Sequence, residues 1–278
     1  MDEMYEKMQS LDYMMLKAAR DNDIESLKEK MASSSIDINY ADGGFSPLMY
    51  ACLNGNIEMT KYLLEKGADV NYVFHGAYDE SALRVAIETV HPEIALLLID
   101  HGVSESVRDV AFFKAIEGNS EEVFDALIAT GADINQLDAG GLSPIYKANA
   151  QMAKKLIELG AEVNQADEEG ETPLHFVADQ EKLNVLLLAG ANVNVCNDFG
   201  DSPLSAVLRS CKGKKQMDVM GMTTRLLDAG AEISEKDIKL ANRAGVKDVE
   251  EFLRNHFEQK KFGPTVAPTE ASKKQLKL

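Results

Sequence analysis

Residues 46–71 read SPLMYACLNGNIEMTKYLLEKGADVN and contain two short amphipathic segments on either side of a glycine. Apolar residues recur at helical spacing both before and after Gly55, which predicts two short helices joined by a turn. Ser46 followed by proline is typical of a helix N-cap with Pro at the first helical position. Gly67 follows the second segment, where a helix commonly ends in a left-handed residue. The stretch therefore predicts a compact helix pair.

Both ends of this stretch recur along the chain. Phrases related to SPLM begin at Ser46, Ser81, Ser143, Thr172 and Ser202, and phrases related to GADVN involve Gly67, Gly102, Gly131, Gly160, Gly190 and Gly230. Successive glycines of the second phrase are 29 to 40 residues apart, so the helix pair is an internal repeat. One such pair cannot bury its apolar face alone, and stability has to come from stacking on its neighbours.

The two interleaved phrases resemble the ankyrin repeat, whose consensus unit of about 33 residues carries a TPLH phrase. TPLHFVA at 172–178 is nearly that phrase, and 46–71 keeps most of the other hallmarks. The resemblance covers about residues 13–255, in which eight units are counted. It implies an all-α repeat solenoid of stacked helix pairs with β-turn fingers between them. We assign residues 1–258 to this repeat domain and 259–278, with five lysines and one glutamate, to a disordered basic tail.

The units differ in length. From the SPLM-like phrase to the following glycine, the fifth unit spans 17 positions and the sixth 18, whereas the second spans 21. The missing residues fall at the turn between the two helices, so about one helical turn is expected to be lost in each. Between Gly102 and Val110 the finger is nearly absent.

Charge excludes several function classes. Lys and Arg number 29 against 46 Asp and Glu, a net charge of −17, so neither nucleic acid nor an anionic membrane is expected as a partner. The longest aliphatic run, residues 94–99, is far shorter than the roughly 20 residues that a membrane helix needs. Cys52, Cys196 and Cys211 show neither a disulfide framework nor zinc spacing. We therefore expect a cytoplasmic monomer.

The chain carries no motif of a hydrolase, metalloprotease, nucleotide-binding or dinucleotide-binding enzyme. We expect no catalysis, no cofactor and no metal site. His175 belongs to the TPLH phrase, and the resemblance implies that it forms structural hydrogen bonds at the base of a finger.

The resemblance implies a non-catalytic module that binds a protein through its finger tips and the concave face of its first helices. The finger at 72–81 is rich in aromatic residues, and the fingers between 164 and 201 are strongly acidic, which favours a partner with a basic surface. Carried onto this chain, the expected contact residues are Tyr50, Tyr72, Phe74, His75, Tyr78, Glu168, Glu169, Glu171, Asp179, Asp198, Phe199 and Asp201. Two alternatives remain open at this point: a dedicated inhibitor or immunity protein of one enzyme, and a translocated bacterial effector.

Overall fold

The computed structural model describes residues 10–32, 36–76, 79–211 and 218–262. These residues form fifteen α-helices, one 3₁₀ helix and one two-stranded antiparallel sheet. The chain divides into two compact units, Met1–Gly140 with Lys147–Met152, and Gly141–Tyr146 with Ala153–Leu278. The division falls inside the fifth of the repeats counted from the sequence.

The first unit contains four complete helix pairs. They are α1 (Leu11–Arg20) with α2 (Ile24–Met31), α3 (Pro47–Leu53) with α4 (Ile57–Glu65), α5 (Ala82–Glu88) with α6 (Pro92–Asp100), and α7 (Glu105–Glu117) with α8 (Glu121–Ala129). Strands β1 (Val73–His75) and β2 (Asp79–Ser81) form a hairpin before α5, with Phe74 opposite Glu80. Fully buried side chains such as Met15, Leu48, Leu83 and Phe112 lie on the first helices, which pack against one another from pair to pair.

The later repeats include the two shortened ones. The fifth pair is α9 (Pro144–Lys147) with α10 (Ala150–Glu158), and it is followed by the 3₁₀ helix (Pro173–Phe176) with α11 (Gln180–Leu188), α12 (Pro203–Ser210) with α13 (Val219–Asp228), and α14 (Glu235–Ala244) with α15 (Lys247–Phe262). Both α9 and the 3₁₀ helix have only four residues, so the loss of about one turn predicted from the unit lengths is confirmed.

The boundary of the C-terminal tail needs correction. Helix α15 continues to Phe262, so residues 259–262, which we assigned to the disordered tail, are helical. Helix formers from Lys247 to Phe262 run on without a glycine or proline until Gly263 and Pro264, which explains the position of the end. The rest of the tail, 263–278, lies outside the described residues.

The glycines that end the second helices have the backbone conformation expected of them. All six have φ between 84° and 97°, in the left-handed region that favours glycine, as Gly160 illustrates at 97°. Gly160 N–H donates to the carbonyl of Ile157, and this hydrogen bond satisfies a carbonyl of the final turn of α10.

Asparagines at the start of four fingers join one repeat to the next. Asn71 Oδ1 accepts a hydrogen bond from Ser104 N at 2.6 Å. In the second unit, Asn194 Oδ1 accepts from Glu232 N at 2.8 Å while its Nδ2 donates to Gly230 O at 3.0 Å. The same acceptor role is played by Asn39 towards Asp69 N and by Asn164 towards Asn192 N. These side chains therefore hold the finger backbone at the spacing of the repeat.

The turn between α5 and α6 is strained. Val90 has φ +60° and is 79% exposed, whereas the matching turns of the first, second and fourth pairs carry Asn22, Gly55 and Asn119. Glycine and asparagine tolerate the left-handed conformation, but a β-branched side chain there is a genuine outlier. Val90 thus destabilises its own repeat without burying its methyl groups.

Replacing Val90 with asparagine should relieve this strain. We expect Val90→Asn to raise the free energy of unfolding by about 1 kcal/mol, since the left-handed conformation costs a residue with a Cβ branch roughly 1–2 kcal/mol. Urea denaturation followed by circular dichroism measures the change. Val110→Asn on α7 is the matched control, because Val110 is also exposed but has helical φ. A loss of stability in Val90→Asn larger than in the control would contradict the strain argument.

Candidate functional site

The aromatic residues around the 72–81 finger pack on the preceding finger. Tyr72 Oη donates to Gly44 O at 3.1 Å, and the Phe45 ring lies 5.6 Å from Tyr50 and 6.5 Å from Phe74, measured between ring centroids. The three predicted contact residues in this group, Tyr50, Tyr72 and Phe74, are all half-buried. Their rings therefore stiffen the finger, and only their outer edges are left for a partner.

The tip of the same finger is polar where the structure describes it. His75 is exposed, and its Nδ1 lies 2.7 Å from Asp79 Oδ1 across the hairpin. Tyr78, another predicted contact residue, lies outside the described residues.

Two acidic fingers of the second unit share one construction. Asp167 Oδ1 accepts from the backbone N–H groups of Glu169 (3.1 Å) and Glu171 (2.8 Å). Thirty residues later, Asn197 Oδ1 accepts from Phe199 N at 3.0 Å and Asp201 N at 2.9 Å. A side chain with an acceptor oxygen at the first position thus closes each finger and directs the next two residues outward.

The outward residues of these fingers form a continuous tip surface. Glu168, Glu169 and Asp198 are exposed, and none of them has an ion-pair partner among the described residues. Asp198 N donates to Glu169 O at 2.9 Å, so the backbones of the two fingers are hydrogen-bonded to each other. We call Glu168, Glu169, Asp198 and Phe199 the finger-tip surface.

Phe199 is the apolar member of the finger-tip surface. Its side chain is 64% exposed, and no other described ring or cation packs on it. Its N–H is held by Asn197, and its carbonyl accepts from Lys236 Nζ at 3.0 Å. The backbone is therefore fixed on both sides of an aromatic ring that has no packing partner among the described residues.

Two other predicted contact residues have local structural roles. Asp179 is the exposed N-cap of α11 and accepts from Lys182 N at 2.8 Å. Glu171 is half-buried, and its Oε1 accepts from Asn197 Nδ2 at 2.7 Å. Each of these carboxylates therefore already stabilises its own segment.

The prediction that Asp201 contacts a partner is wrong. Its side chain is fully buried, with Oδ1 2.7 Å from Lys236 Nζ and Oδ2 in contact with Arg209. The finger closed by Asn197 turns the Asp201 side chain inward, towards cations from two later helices. The pairing with Lys236 could not be predicted from local sequence, because Lys236 lies 35 positions from Asp201.

The TPLH histidine has the structural role that the resemblance implied. His175 is buried, its Nδ1 accepts from Thr172 N at 3.0 Å, and its Nε2 donates to Asp201 O at 3.1 Å. Burial lowers the pKa of His175 below its usual value, so the ring stays neutral in this bonding pattern. The histidine therefore connects the start of one repeat to the next finger.

The shortened helix α9 is completed by a lysine from the next repeat. Lys182 is 5% exposed, and its Nζ donates to the carbonyl of Tyr146 at 2.9 Å. That carbonyl lies in the last turn of α9, where helical carbonyls lack backbone partners. Burial lowers the pKa of Lys182 to about 8, although the charge of Asp179 acts in the opposite direction. The side chain thus replaces part of the missing turn at the expense of burying an ammonium group.

No candidate metal site is found in the part of the chain that the structure describes. Within the described ranges, no three His, Cys, Asp or Glu side chains are grouped as metal ligands would be. The same ranges contain no helix that is both long and apolar enough to cross a bilayer.

The comparison with protein families supplies the assignment. A family model described as ankyrin repeats in three copies matches residues 14–109 and 112–197, well over half of the chain. The chain belongs to the ankyrin-repeat family. The fold expected from the repeated phrases, an all-α ankyrin-type repeat structure, is thereby confirmed. Ankyrin-repeat domains are general protein–protein interaction modules and are generally non-catalytic.

Relatives share this repeat but are mostly much longer proteins. The chain is 33% identical over 96 residues to the E3 ubiquitin-protein ligase hecd-1 of Caenorhabditis elegans, covering 34% of this chain and 4% of the ligase. It is 30% identical over 141 residues to the putative ankyrin repeat protein FPV244 of fowlpox virus, covering 50% of this chain and 21% of that protein. The crystal structure of the human ASB11 ankyrin repeat domain aligns with a TM-score of 0.63 at 27% identity, covering 79% of this chain and 99% of that one.

Truncating Asp201 should destabilise the second unit. We expect Asp201→Ala to lower the free energy of unfolding by about 1–3 kcal/mol, because it removes a buried acceptor of two charged groups. Asp198→Ala, three residues away on the exposed tip, should change it by less than about 0.5 kcal/mol. Urea denaturation of both variants makes the comparison, and equal effects would contradict the separate roles assigned to the two carboxylates.

Lys182 should give the protein a distinctive alkaline stability profile. Between pH 8 and 10.5 the unfolded chain keeps the Lys182 proton while the native chain loses it, so native stability rises with pH by up to about 3 kcal/mol from this group. Subtracting the free energy of unfolding of Lys182→Met from that of the wild type at each pH isolates this contribution. Lys154→Met, at an exposed lysine of α10, is the control and should keep the wild-type slope. A wild-type profile parallel to that of Lys182→Met would show that Lys182 titrates normally.

Proposed function

We propose that this chain binds a protein partner through its finger-tip surface, with Phe199 as the apolar anchor and the carboxylates of Glu168, Glu169 and Asp198 around it. The observation that carries the proposal is the exposure of the Phe199 ring on a backbone held by hydrogen bonds on both sides. Aromatic anchors contribute much of the energy of protein interfaces.

Rigidity favours this assignment. Binding a partner at Phe199 costs little conformational entropy in this chain, because Asn197 and Lys236 already fix the backbone of Phe199. Tyr72 and Phe74 are less available to a partner, because each side chain already makes contacts within the chain. We therefore rank the 72–81 finger, with Tyr50 and His75, as an outer part of the interface.

Charge indicates what the partner presents. Three exposed carboxylates lie on the same two hydrogen-bonded fingers as an apolar ring, and the chain carries a net charge of −17. A surface of this kind is complementary to an apolar pocket bordered by Lys and Arg, and its field raises the rate of association. We propose such a basic partner surface, with binding by a single copy of this chain.

Cysteine chemistry supports a reducing compartment. All three cysteines are free, Cys52 and Cys211 are buried, and burial raises the pKa of the Cys52 thiol to about 12. Thiols of this kind persist without disulfides in the cytoplasm, where we place the protein.

A photo-crosslinker identifies the partner and tests the anchor. Benzoylphenylalanine is introduced at position 199, and in a separate chain at 188, because Leu188 is 90% exposed at the C-terminal end of α11 and is not part of the finger-tip surface. The protein crosslinked from 199 but not from 188 is purified, and its Kd is measured. We expect Phe199→Ser to weaken binding by about 1–3 kcal/mol, with Leu188→Ser unchanged. Equal Kd values for wild type and Phe199→Ser, with the melting temperature preserved, would exclude Phe199 as the anchor.

A further inference from the structure

The finger that contains Phe199 is the last one among the described residues of the second unit. Ser202 caps α12 twelve positions after Gly190, and the residues between them form this finger. Ser234 caps α14 only four positions after Gly230, so the following repeat begins without a finger. The Phe199 finger therefore has no finger of the next repeat beside it.

The preceding finger shows what a neighbouring finger supplies. Glu169 O accepts from Asp198 N at 2.9 Å, and Glu169 holds the same place in its finger that Phe199 holds thirty positions later. At Phe199 the donor is a side chain instead, because Lys236 Nζ donates to Phe199 O at 3.0 Å and to Gly200 O at 3.0 Å. An ammonium group from α14 thus takes the place of the backbone donor that the next finger would provide.

A buried charge fixes the ammonium group at this point. Lys236 Nζ lies 2.7 Å from Oδ1 of Asp201, whose side chain is only 1% exposed. The attraction between the two charges is strong here, since little water reaches the carboxylate to screen it. Two carbonyl oxygens and one carboxylate oxygen of the same finger therefore hold the nitrogen.

Helix α14 by itself does not favour a lysine at this position. Lys236 lies in the first turn of the helix, where the helix dipole stabilises negative charge, and its neighbours there are Glu235 and Asp237. The ammonium is unfavourable for the helix, whereas it satisfies two carbonyls of the finger. The position of Lys236 is therefore explained by the finger and not by the helix that carries it.

The first unit uses a similar contact where it lacks a finger. Ser104 caps α7 two positions after Gly102, so no finger follows the hairpin at 72–81. Arg84 is 8% exposed, and its Nη1 donates to the carbonyl of Asp79 on β2 at 2.9 Å. In each unit, a cationic side chain thus satisfies a finger carbonyl where the next finger is missing.

These contacts give the last helix pair a part in binding. We propose that Lys236 takes the place of the missing finger and is a positioning residue, which keeps Phe199 in the orientation that a partner binds. The proposal rests on the function proposed for the finger-tip surface and extends it to a repeat that contributes no residue to that surface. Without the ammonium, Phe199 O and Gly200 O lose their donor, and the finger has to be ordered when the partner binds.

Amide hydrogen exchange, followed by NMR on the full-length chain, tests the positioning without a partner. The amides of residues 198–201 are all hydrogen-bonded. We expect Lys236→Met to speed their exchange at least about tenfold, while the amides of Glu169 and Glu171 in the preceding finger keep the wild-type rates. Lys239→Met, at an exposed lysine of the same helix, is the control and should change neither finger. Unchanged rates at 198–201, or an equal increase in both fingers, would overturn the proposal.

Affinity for the protein crosslinked from position 199 is the second measurement. We expect Lys236→Met to raise the Kd about tenfold and Lys236→Arg, which keeps a cationic donor, to stay within about twofold of the wild type. A Lys236→Met chain that binds as the wild type does would overturn the positioning role, and so would a Lys236→Arg chain as weak as Lys236→Met. Unchanged binding by Phe199→Ser would instead reject the proposed anchor, and the exchange rates alone would then decide whether Lys236 replaces the missing finger.

Discussion

The hydrogen bonds from one asparagine side chain to the next repeat determine how the fingers are built. Asn71 and Asn194 each offer their amide oxygen to a backbone N–H about one repeat away, and both amide groups also donate to the carbonyl of a left-handed glycine. Since the oxygen accepts and the nitrogen donates, only an amide at this position satisfies both neighbours. The glycine has to be left-handed for its carbonyl to be available, so the two short phrases of the sequence depend on each other.

This dependence explains which features could be predicted from the sequence. Helix starts at Ser46, the left-handed Gly67 and the one-turn loss in α9 are set by residues close together in the chain, and local chemistry was enough to predict them. The burial of Asp201 was not predictable in that way, because it follows from Lys236, which lies 35 positions away and in the next repeat. A charged residue in an acidic finger looks exposed until the neighbouring repeat is placed beside it.

The exposure of two aromatic residues was also not predictable from the residues next to them in the sequence. Phe74 and Phe199 both lie in fingers, and the residues next to each of them in the sequence do not distinguish them. In the structure Phe74 packs against the ring of Phe45, whereas Phe199 is exposed at the tip position that Glu169 holds in the preceding finger. Aligning the repeats would have revealed this contrast, and also that Val90 matches asparagine and glycine elsewhere. Conformation at a repeated position is thus readable from sequence only by comparison between repeats.

Because the stability of a repeat fold is the sum of local contributions, single repeats can tolerate unfavourable residues. In a repeat fold each unit contacts only its neighbours, so the strain at Val90 and the buried ammonium of Lys182 weaken their own repeats and adjoining contacts without disturbing the core elsewhere. A globular core would spread the same disturbance through all its packing. Surface residues in one repeat can therefore be selected for ligand binding while the other repeats supply stability. This separation makes an exposed phenylalanine on a fixed finger and a strained valine in a helix–helix turn compatible with one folded chain.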